Sequence, residues 1–297
     1  MREDGNHPEA IRCKAWAGRF SRYACLWAVC LLLFPAGTEA QCPPWENMFY
    51  HGERVDYDIF FKWGLIMPKA GLASFHVNKT TYRQNPAWQY RLLFRTVGVI
   101  DKIYRMRDTI TTYLTPEYAV LFSSKRTNED NYFLVDELTF MPDPTGKQSR
   151  VRSHRYTPTA TKIDTLLVAE GCLYDLMAVG MYLRSIDWER LKTGDELPFQ
   201  VAMGRDIIHA SFRYTGQAVV KPNENLVYRA RHFYIDIYDD AFTQSKEAAE
   251  IWVGDDDNHL PIRVRAKLKI GAAEVYFKEA QNLQYPLSCR IVIPPRK

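Results

Sequence analysis

The sequence lacks a hydrophobic run long enough to cross a membrane. Its main apolar stretch, Tyr23 to Phe34, has 12 residues, whereas a membrane-spanning helix needs about 20. Net charge is also small, at +4 from 39 basic and 35 acidic side chains, so nothing in the charge indicates nucleic acid as a partner. The composition is that of an ordinary globular protein, for which an anionic partner is neither required nor excluded.

The sequence also lacks the short motifs of the best-known enzyme classes. It has no Gly-x-Ser-x-Gly elbow, His-Glu-x-x-His pair, Walker loop, Gly-x-Gly-x-x-Gly loop or Cys-x-x-Cys pair. Asp255 to Asp257 with Asn258 offer oxygen ligands of the kind that Ca²⁺ prefers, but these residues also suit a hairpin turn, which we favour. We therefore predict no catalytic residue, no cofactor and no metal site, and a protein that is more plausibly a binding protein than an enzyme.

The first 40 residues have the layout of a secretory signal peptide. Basic residues precede the apolar stretch, and a small-x-small pattern follows it at Thr38-Glu39-Ala40. We expect cleavage after Ala40, although the long leader leaves the true start open. Residues 41–297 would then form a single β-rich domain without a membrane span.

Cysteine is scarce once this leader is removed. Only Cys42, Cys172 and Cys289 remain, and this odd number leaves at least one thiol unpaired within the chain. In an oxidising compartment Cys42 and Cys289, near the two ends, could form a disulfide. The sequence leaves that pairing open.

Period-two alternation is the dominant pattern of residues 41–297. It is clearest at Val55 to Phe61, Trp88 to Phe94 and Ile262 to Ile270, where the alternate residues of the last segment are all basic. Such alternation predicts half-buried strands, here with a basic face towards water or an anionic surface. Further strands are predicted at Tyr132–Phe140, Leu197–Met203, Ile207–Tyr214, Leu226–Ile237 and Ala272–Phe277. The fold class is therefore mainly β, with curved antiparallel sheets forming a partly open barrel or sandwich.

One segment, Tyr174 to Ser185, breaks this alternation. Leu176, Val179, Gly180 and Leu183 recur at helical spacing, and Asp175 stands at the N-cap position. The pattern predicts one helix packed on the sheet.

Several short motifs follow one another along the chain in a characteristic order. They are Gly52-Glu53, Trp63-Gly64, Ala70-Gly71, Arg107-Asp108, Tyr174-Asp175-Leu176, Tyr182-Leu183-Arg184, Trp252, Asp255-Asp256, Leu260-Pro261-Ile262 and Gly271. Their order and spacing, over about 52–283, resemble the exported bacterial family called domain of unknown function 3108. The resemblance implies a secreted or periplasmic all-β protein from a bacterium with two membranes, and it implies no particular activity.

Two sets of side chains are candidates for a binding site. Aromatic residues are frequent on the apolar faces of the first strands. We expect the ligand-binding site to be lined by Trp63, Trp88, Tyr90 and Phe94. Arg107 with Asp108, and Asp175 with Arg184, must be paired or hydrogen-bonded if they are buried. We interpret them as polar anchors, either inside a ligand cavity or, the favoured alternative, as structural ion pairs that tie the helix to the sheet.

Three classes of function remain open. The leading hypothesis is a periplasmic, non-enzymatic binding or carrier protein for an apolar or amphipathic ligand such as a lipid or glycan, because a curved sheet with a helix against it can enclose a cavity. The second is an envelope assembly factor that meets a protein partner through its surface, with a filled interior. The third is a glycan or lipid hydrolase using carboxylates such as Asp108, Asp255 or Asp256. The ligand, the partner and the oligomeric state are not determined by the sequence.

Overall fold

A computed structural model describes residues 49–143, 146–223, 226–238 and 245–291. These residues form two helices, α1 (Gly98–Ile103) and α2 (Leu176–Ser185), and sixteen strands. The strands are β1 (Arg54–Lys62), β2 (Lys69–Tyr82), β3 (Asn85–Thr96), β4 (Arg107–Leu114), β5 (Val120–Glu129), β6 (Tyr132–Met141), β7 (Gln148–Thr157), β8 (Ala160–Glu170), β9 (Leu173–Tyr174), β10 (Glu196–Met203), β11 (Asp206–Asn223), β12 (Leu226–Ile237), β13 (Ser245–Gly254), β14 (Pro261–Lys267), β15 (Ala272–Gln281) and β16 (Arg290–Ile291).

Two meanders make up one sheet. Strands β1 to β8 pair in chain order, strands β10 to β15 do the same, and β1 joins the two by pairing with β15. The described strand pairs are antiparallel, apart from the parallel pair of β9 and β10. The sheet therefore curls into a nearly closed barrel with one seam between its ends, β8 and β9. The predicted partly open barrel with a helix is confirmed.

Side chains bridge the seam where backbone pairing stops. The Ser149 hydroxyl donates to the Gly171 carbonyl at 2.7 Å and accepts from the Leu173 amide at 3.1 Å. The Gln200 side-chain amide donates to the Glu170 carbonyl at 2.8 Å. These bonds satisfy backbone groups that an open sheet edge would leave exposed.

The alternation in β14 ends earlier than the sequence predicts. Leu268 leaves the strand because its amide donates to the Gly271 carbonyl at 3.1 Å, which closes the turn to β15. The basic face of β14 is also not free: Arg263 donates to both carboxylate oxygens of Glu274 at 3.0 and 3.1 Å, and Glu274 is buried. The neighbouring strands therefore supply counter-charges to this basic face, whose side chains Arg263, Arg265 and Lys267 remain 26%, 39% and 55% exposed to water.

The helix α2 begins at the predicted N-cap. The Asp175 carboxylate accepts from the Ala178 amide at 2.9 Å and from the Thr112 hydroxyl of β4 at 2.5 Å. One face of α2, with Met177, Ala178 and Met181, is buried in the largest apolar cluster. The cap therefore fixes both the start of the helix and its attachment to the sheet.

Replacing Asp175 with alanine is expected to lower the free energy of unfolding by about 0.5 to 2 kcal/mol, because a first-turn amide loses its acceptor. Chemical denaturation followed by circular dichroism measures the change. Asp175→Asn is the matched control, since asparagine caps about as well as aspartate. Equal losses in the two variants would mean that capping is not what Asp175 contributes.

Two sequence predictions fall outside the described residues. One is the signal peptide over residues 1–40, and the other is the disulfide partner Cys42. The second cysteine of that predicted pair, Cys289, is fully buried beside Asp256, and burial together with that carboxylate raises the pKa of its thiol above the ordinary value. Export and the disulfide therefore stay predictions.

Candidate functional site

A cavity of about 530 Å³ lies between α2 and the inner face of the sheet. Strands β1 to β5 line one side, strands β11 to β15 line the other, and α2 contributes Leu176, Val179, Gly180 and Leu183. These four helix residues are the apolar set that the sequence showed at helical spacing. The core-facing and cavity-lining residues of the helix overlap at Met177 and Leu183.

The cavity is apolar and closed at one end. Val55, Tyr57 and Tyr90 on its wall are buried, whereas Ile59 and Phe94, further along the same strands, are partly exposed. The cavity therefore opens towards the end of the sheet where the chain turns from β1 to β2, which we call the loop end. Burial raises the pKa of both tyrosines above the ordinary value, so their phenol groups are neutral.

A buried ion pair closes the other end. Arg184 of α2 donates to Glu53, just before β1, at 2.8 and 3.5 Å, and its Nε donates to the Asn258 carbonyl at 3.1 Å. The side chains are only 10% and 2% exposed. Burial alone would lower the pKa of the Arg184 guanidinium, but the Glu53 carboxylate raises it above the ordinary value. This pair ties the helix to the sheet.

His259 packs on the same end of the cavity. Its ring stacks on Trp188 with centroids 4.1 Å apart, and its Nδ1 lies 2.8 Å from the Arg184 carbonyl. Burial is the main reason that the pKa of His259 lies below its ordinary value. The folded protein thus holds this imidazole neutral.

Stability should consequently fall as the pH is lowered from about 7 to about 5. Below about pH 6.5 the unfolded chain protonates its histidine while the folded chain does not, so acid favours unfolding until the lowered folded-state pKa is passed. Melting temperatures across this range are expected to fall less steeply in His259→Asn, since asparagine tolerates the φ of 48° at this position. His76 and His232, whose pKa values are also lowered, leave a residual slope in both proteins. Identical slopes would contradict the assignment to His259.

Two charged side chains lie at the open end of the cavity. Asp108 of β4 accepts from the Asn128 amide at 2.9 Å, and burial raises the pKa of its carboxyl. Lys125 of β5 makes no ion pair or hydrogen bond with another described residue, and it also lines a smaller polar recess of about 100 Å³ with Asp136 and Arg155. The mouth thus offers an unpaired cation beside an apolar chamber.

The four predicted ligand-lining aromatics separate into two groups. Tyr90 and Phe94 line the cavity. Trp88, two residues before Tyr90 and on the same face of β3, is buried in the core beside Tyr118, and Trp63 is 61% exposed in the turn after β1. Trp88 shares the strand parity of Tyr90 and Phe94, so its position along β3, and not parity, keeps it out of the cavity lining.

The predicted polar anchors find partners other than those expected. Arg107 donates to Asp101 of α1 at 2.7 and 3.0 Å, not to Asp108, and hydrogen bonds from Arg107 and a threonine lower the pKa of Asp101 to about 2. Arg184 does form an ion pair between helix and sheet, but its acid is Glu53, the residue before β1, and not the Asp175 considered from the sequence.

Sequence reasoning did not assign Glu53 or Lys125 to the site, and it did not show the free space beside Gly180. Glu53 shares the inward parity of Val55 and Tyr57, which is the signal that could have identified a buried acid in need of a cation. The sequence places Gly180 on an apolar helix face, but it gives no sign that a Cβ there would meet no atom within 4 Å. Lys125 carries no such signal.

The carboxylates considered for a hydrolase do not converge. Asp255 pairs with Arg231 at 2.8 Å, and Asp256 accepts from the Cys289 amide at 3.1 Å, both in the turn from β13 to β14. Asp108 lies at the loop end, whereas this turn adjoins Arg184 at the closed end. Paired carboxylates across one cleft, as glycosidases need, are therefore not formed by these residues.

A serine, a histidine and an aspartate also meet on the outer face of the sheet. The Ser74 hydroxyl donates to Asp56 and lies 2.8 Å from His76 Nε2, while Arg54 pairs with Asp56. In a catalytic triad the histidine stands between the serine and the acid. Here the serine stands in the middle with its proton on the acid side, so His76 is not placed to accept that proton.

The described residues include no metal-binding group and no helix that could span a membrane. Among residues 49–143, 146–223, 226–238 and 245–291, no three His, Cys, Asp or Glu side chains come together as a metal-binding group. Neither of the two helices that the structure describes is long and apolar enough to cross a membrane.

Comparisons with known proteins agree with this architecture. The family model described as "Protein of unknown function (DUF3108)" matches residues 56–278, which confirms the resemblance predicted from the sequence. A β-barrel-like protein of domain of unknown function DUF1849 from Brucella abortus is similar, with 10% identity and a TM-score of 0.54 over 80% of this chain and 100% of that one. A protein provisionally described as a lipoprotein, from Parabacteroides distasonis, gives 8% identity and a TM-score of 0.29 over 82% of this chain and 98% of that one. No curated protein matches the chain.

Proposed function

The chain belongs to the DUF3108 family, and we propose that it is a non-enzymatic carrier that binds one amphipathic molecule in its cavity. The observation that carries the proposal is the cavity itself. A packed protein interior has few voids larger than a water molecule, whereas this one holds about 530 Å³ of free space. That volume falls within the range of about 300 to 1,000 Å³ for small-molecule sites.

The lining favours a ligand with an apolar body. Leu176, Val179, Ile110 and Leu92 present hydrocarbon to the chamber, and burying an apolar chain against them is favourable at about 25 cal/mol per Å². The surface-acting assembly factor considered from the sequence calls for a filled interior. The cavity therefore supports the carrier over that alternative.

The mouth favours a ligand with a polar end. Lys125 forms no ion pair with a described carboxylate, and it lines the mouth beside Asp108, whose pKa is raised mainly by burial. An anionic head group such as a carboxylate would supply the missing counter-charge. The ligand class that fits best is a fatty acid or a similar single-chain anionic lipid.

Titration with a fluorescent fatty acid tests this proposal. Saturable binding of one molecule per chain is expected, followed as ligand fluorescence, because neither Trp63 nor Trp88 lines the cavity. Lys125→Met is expected to lower the affinity for the fatty acid several-fold, since exposed charge pairs contribute about 1 kcal/mol or less. The affinity for the neutral alcohol analogue should not change. No saturable binding of either probe would overturn the carrier proposal.

The proposed function includes export from the cytoplasm. A periplasmic or secreted location is supported by the leader of residues 1–40, with its basic start and short apolar stretch. Amino-terminal sequencing of protein recovered from the exported fraction should give Gln41 as the first residue. Recovery of the uncleaved chain from the membrane fraction would contradict cleavage after Ala40.

A further inference from the structure

Exposed apolar side chains are concentrated at the loop end of the sheet. They belong to three separate connections: the turn from β1 to β2, the segment containing α1, and the turn from β14 to β15. We call this set the apolar rim: Trp63, Leu65, Ile66, Met67, Val99, Ile103, Tyr104, Leu268 and Ile270. Trp63 is 61% exposed, Ile103 73% and Ile270 67%, so these side chains contribute nothing to a core.

Strand pairing brings the three connections together. The last residue of β1, Lys62, is opposite the first of β15, Ala272, and a Cβ on Gly271 would lie 2.2 Å from the Lys62 carbonyl. The Val97 amide, just before α1, donates to the Ala70 carbonyl at the start of β2, at 3.0 Å. The apolar rim is therefore one surface and not three isolated tips.

Basic side chains are interleaved with this surface. Lys62, Lys102, Arg105 and Lys269 lie in or beside the same connections, and within the part of the chain that the structure describes none of them forms an ion pair. Unpaired cations around exposed apolar residues are complementary to a surface that is apolar inside and negatively charged outside.

We propose that the apolar rim docks this protein on an anionic lipid bilayer. A tryptophan and a tyrosine stand at the boundary between apolar tips and charged flanks, the position that these residues prefer at membrane interfaces. The cavity opens at the same end, because Ile59 and Phe94 near the loop end are partly exposed while Tyr57 is buried. Docking by this end would direct the mouth of the cavity to the lipid surface. The docking proposal stands on the rim alone and does not require the cavity to be occupied.

Flotation of the purified protein with vesicles tests the docking. Vesicles of phosphatidylcholine and phosphatidylglycerol in equal parts should bind the wild type, and phosphatidylcholine alone should bind it more weakly. The double variant Leu65→Ser with Ile66→Ser should lose about tenfold in partitioning, because two exposed apolar side chains no longer enter the interface. Lys102→Glu with Lys269→Glu should lose a similar factor on the anionic vesicles only, and added salt should reduce that difference.

A local readout separates the rim from the rest of the chain. Trp63 emission should shift to the blue on the anionic vesicles and be quenched by bromine-labelled lipid, and Trp63→Phe should remove that response. Val219→Ser is the matched control, because Val219 on β11 lies outside the apolar rim and is 61% exposed, as Trp63 is. This variant should bind the vesicles as the wild type does.

Three results would overturn the proposal: equal partitioning of the wild type and the Leu65→Ser with Ile66→Ser variant, no response at Trp63, or a rim-dependent dimer in solution that ignores vesicles. The last result would make the rim an interface between two copies. Each variant should still take up the fluorescent fatty acid in solution, so a failure of docking is distinguishable from a failure of the carrier proposal.

Discussion

Replacing Glu53 with glutamine should lower the free energy of unfolding by about 3 to 5 kcal/mol, because it leaves the Arg184 guanidinium buried without a counter-charge. The two residues are separated by 131 positions in the chain and are joined at 2.8 Å. The bond therefore connects α2 to the residue that precedes the first strand. Urea denaturation followed by tryptophan fluorescence measures its loss.

The double variant Glu53→Leu with Arg184→Met is the matched control. Replacing both partners of a buried ion pair with apolar residues of similar size is often neutral or stabilising, so this protein should recover most of the lost stability. A loss of less than about 1 kcal/mol in Glu53→Gln is what an exposed ion pair would give. That result would contradict the assignment of a buried ion pair that closes one end of the cavity.

Replacing Gly180 with phenylalanine should reduce fatty-acid binding by more than tenfold while the protein stays folded. A Cβ at this position meets no atom within 4 Å, and the residue lines the cavity from the middle of α2. The aromatic ring would therefore enter free space and occupy the volume that the ligand needs. Fluorescence titration gives the loss of affinity, and thermal unfolding shows whether the fold is retained.

Gly180→Ala is the control for this substitution. Alanine should raise stability by about 0.5 to 1 kcal/mol, because glycine inside a helix is unfavourable relative to alanine, and one methyl group leaves most of the cavity open. If both variants bind as the wild type does, the ligand does not occupy this cavity.

Much of the fold follows from short-range pattern. The alternation at Val55 to Phe61 lies within one segment, so it predicts a strand without identifying the strands that pair with it. The cap at Asp175 is also local, because it involves the first turn of the same helix. The family resemblance rested on the order of such local motifs.

The rest of the site depends on contacts between distant parts of the chain. The partner of Arg184 could not be inferred, because the pairing follows from how α2 lies across the sheet. The sequence predicts Trp63 as a ligand contact because it follows a strand rich in aromatics. The strand ends one residue before Trp63, however, and the side chain is exposed in the turn. Neither the free volume beside Gly180 nor the unpaired charge of Lys125 has any trace in periodicity.

Native mass spectrometry of protein purified from cells, compared between the wild type and Gly180→Phe, tests the central claim most directly. The account predicts a wild-type species heavier than its own polypeptide by the mass of one lipid-like molecule, and a Gly180→Phe species at the polypeptide mass alone. Wild-type protein that carries no added mass and takes up none when fatty acid is supplied would contradict the claim that this cavity holds a ligand.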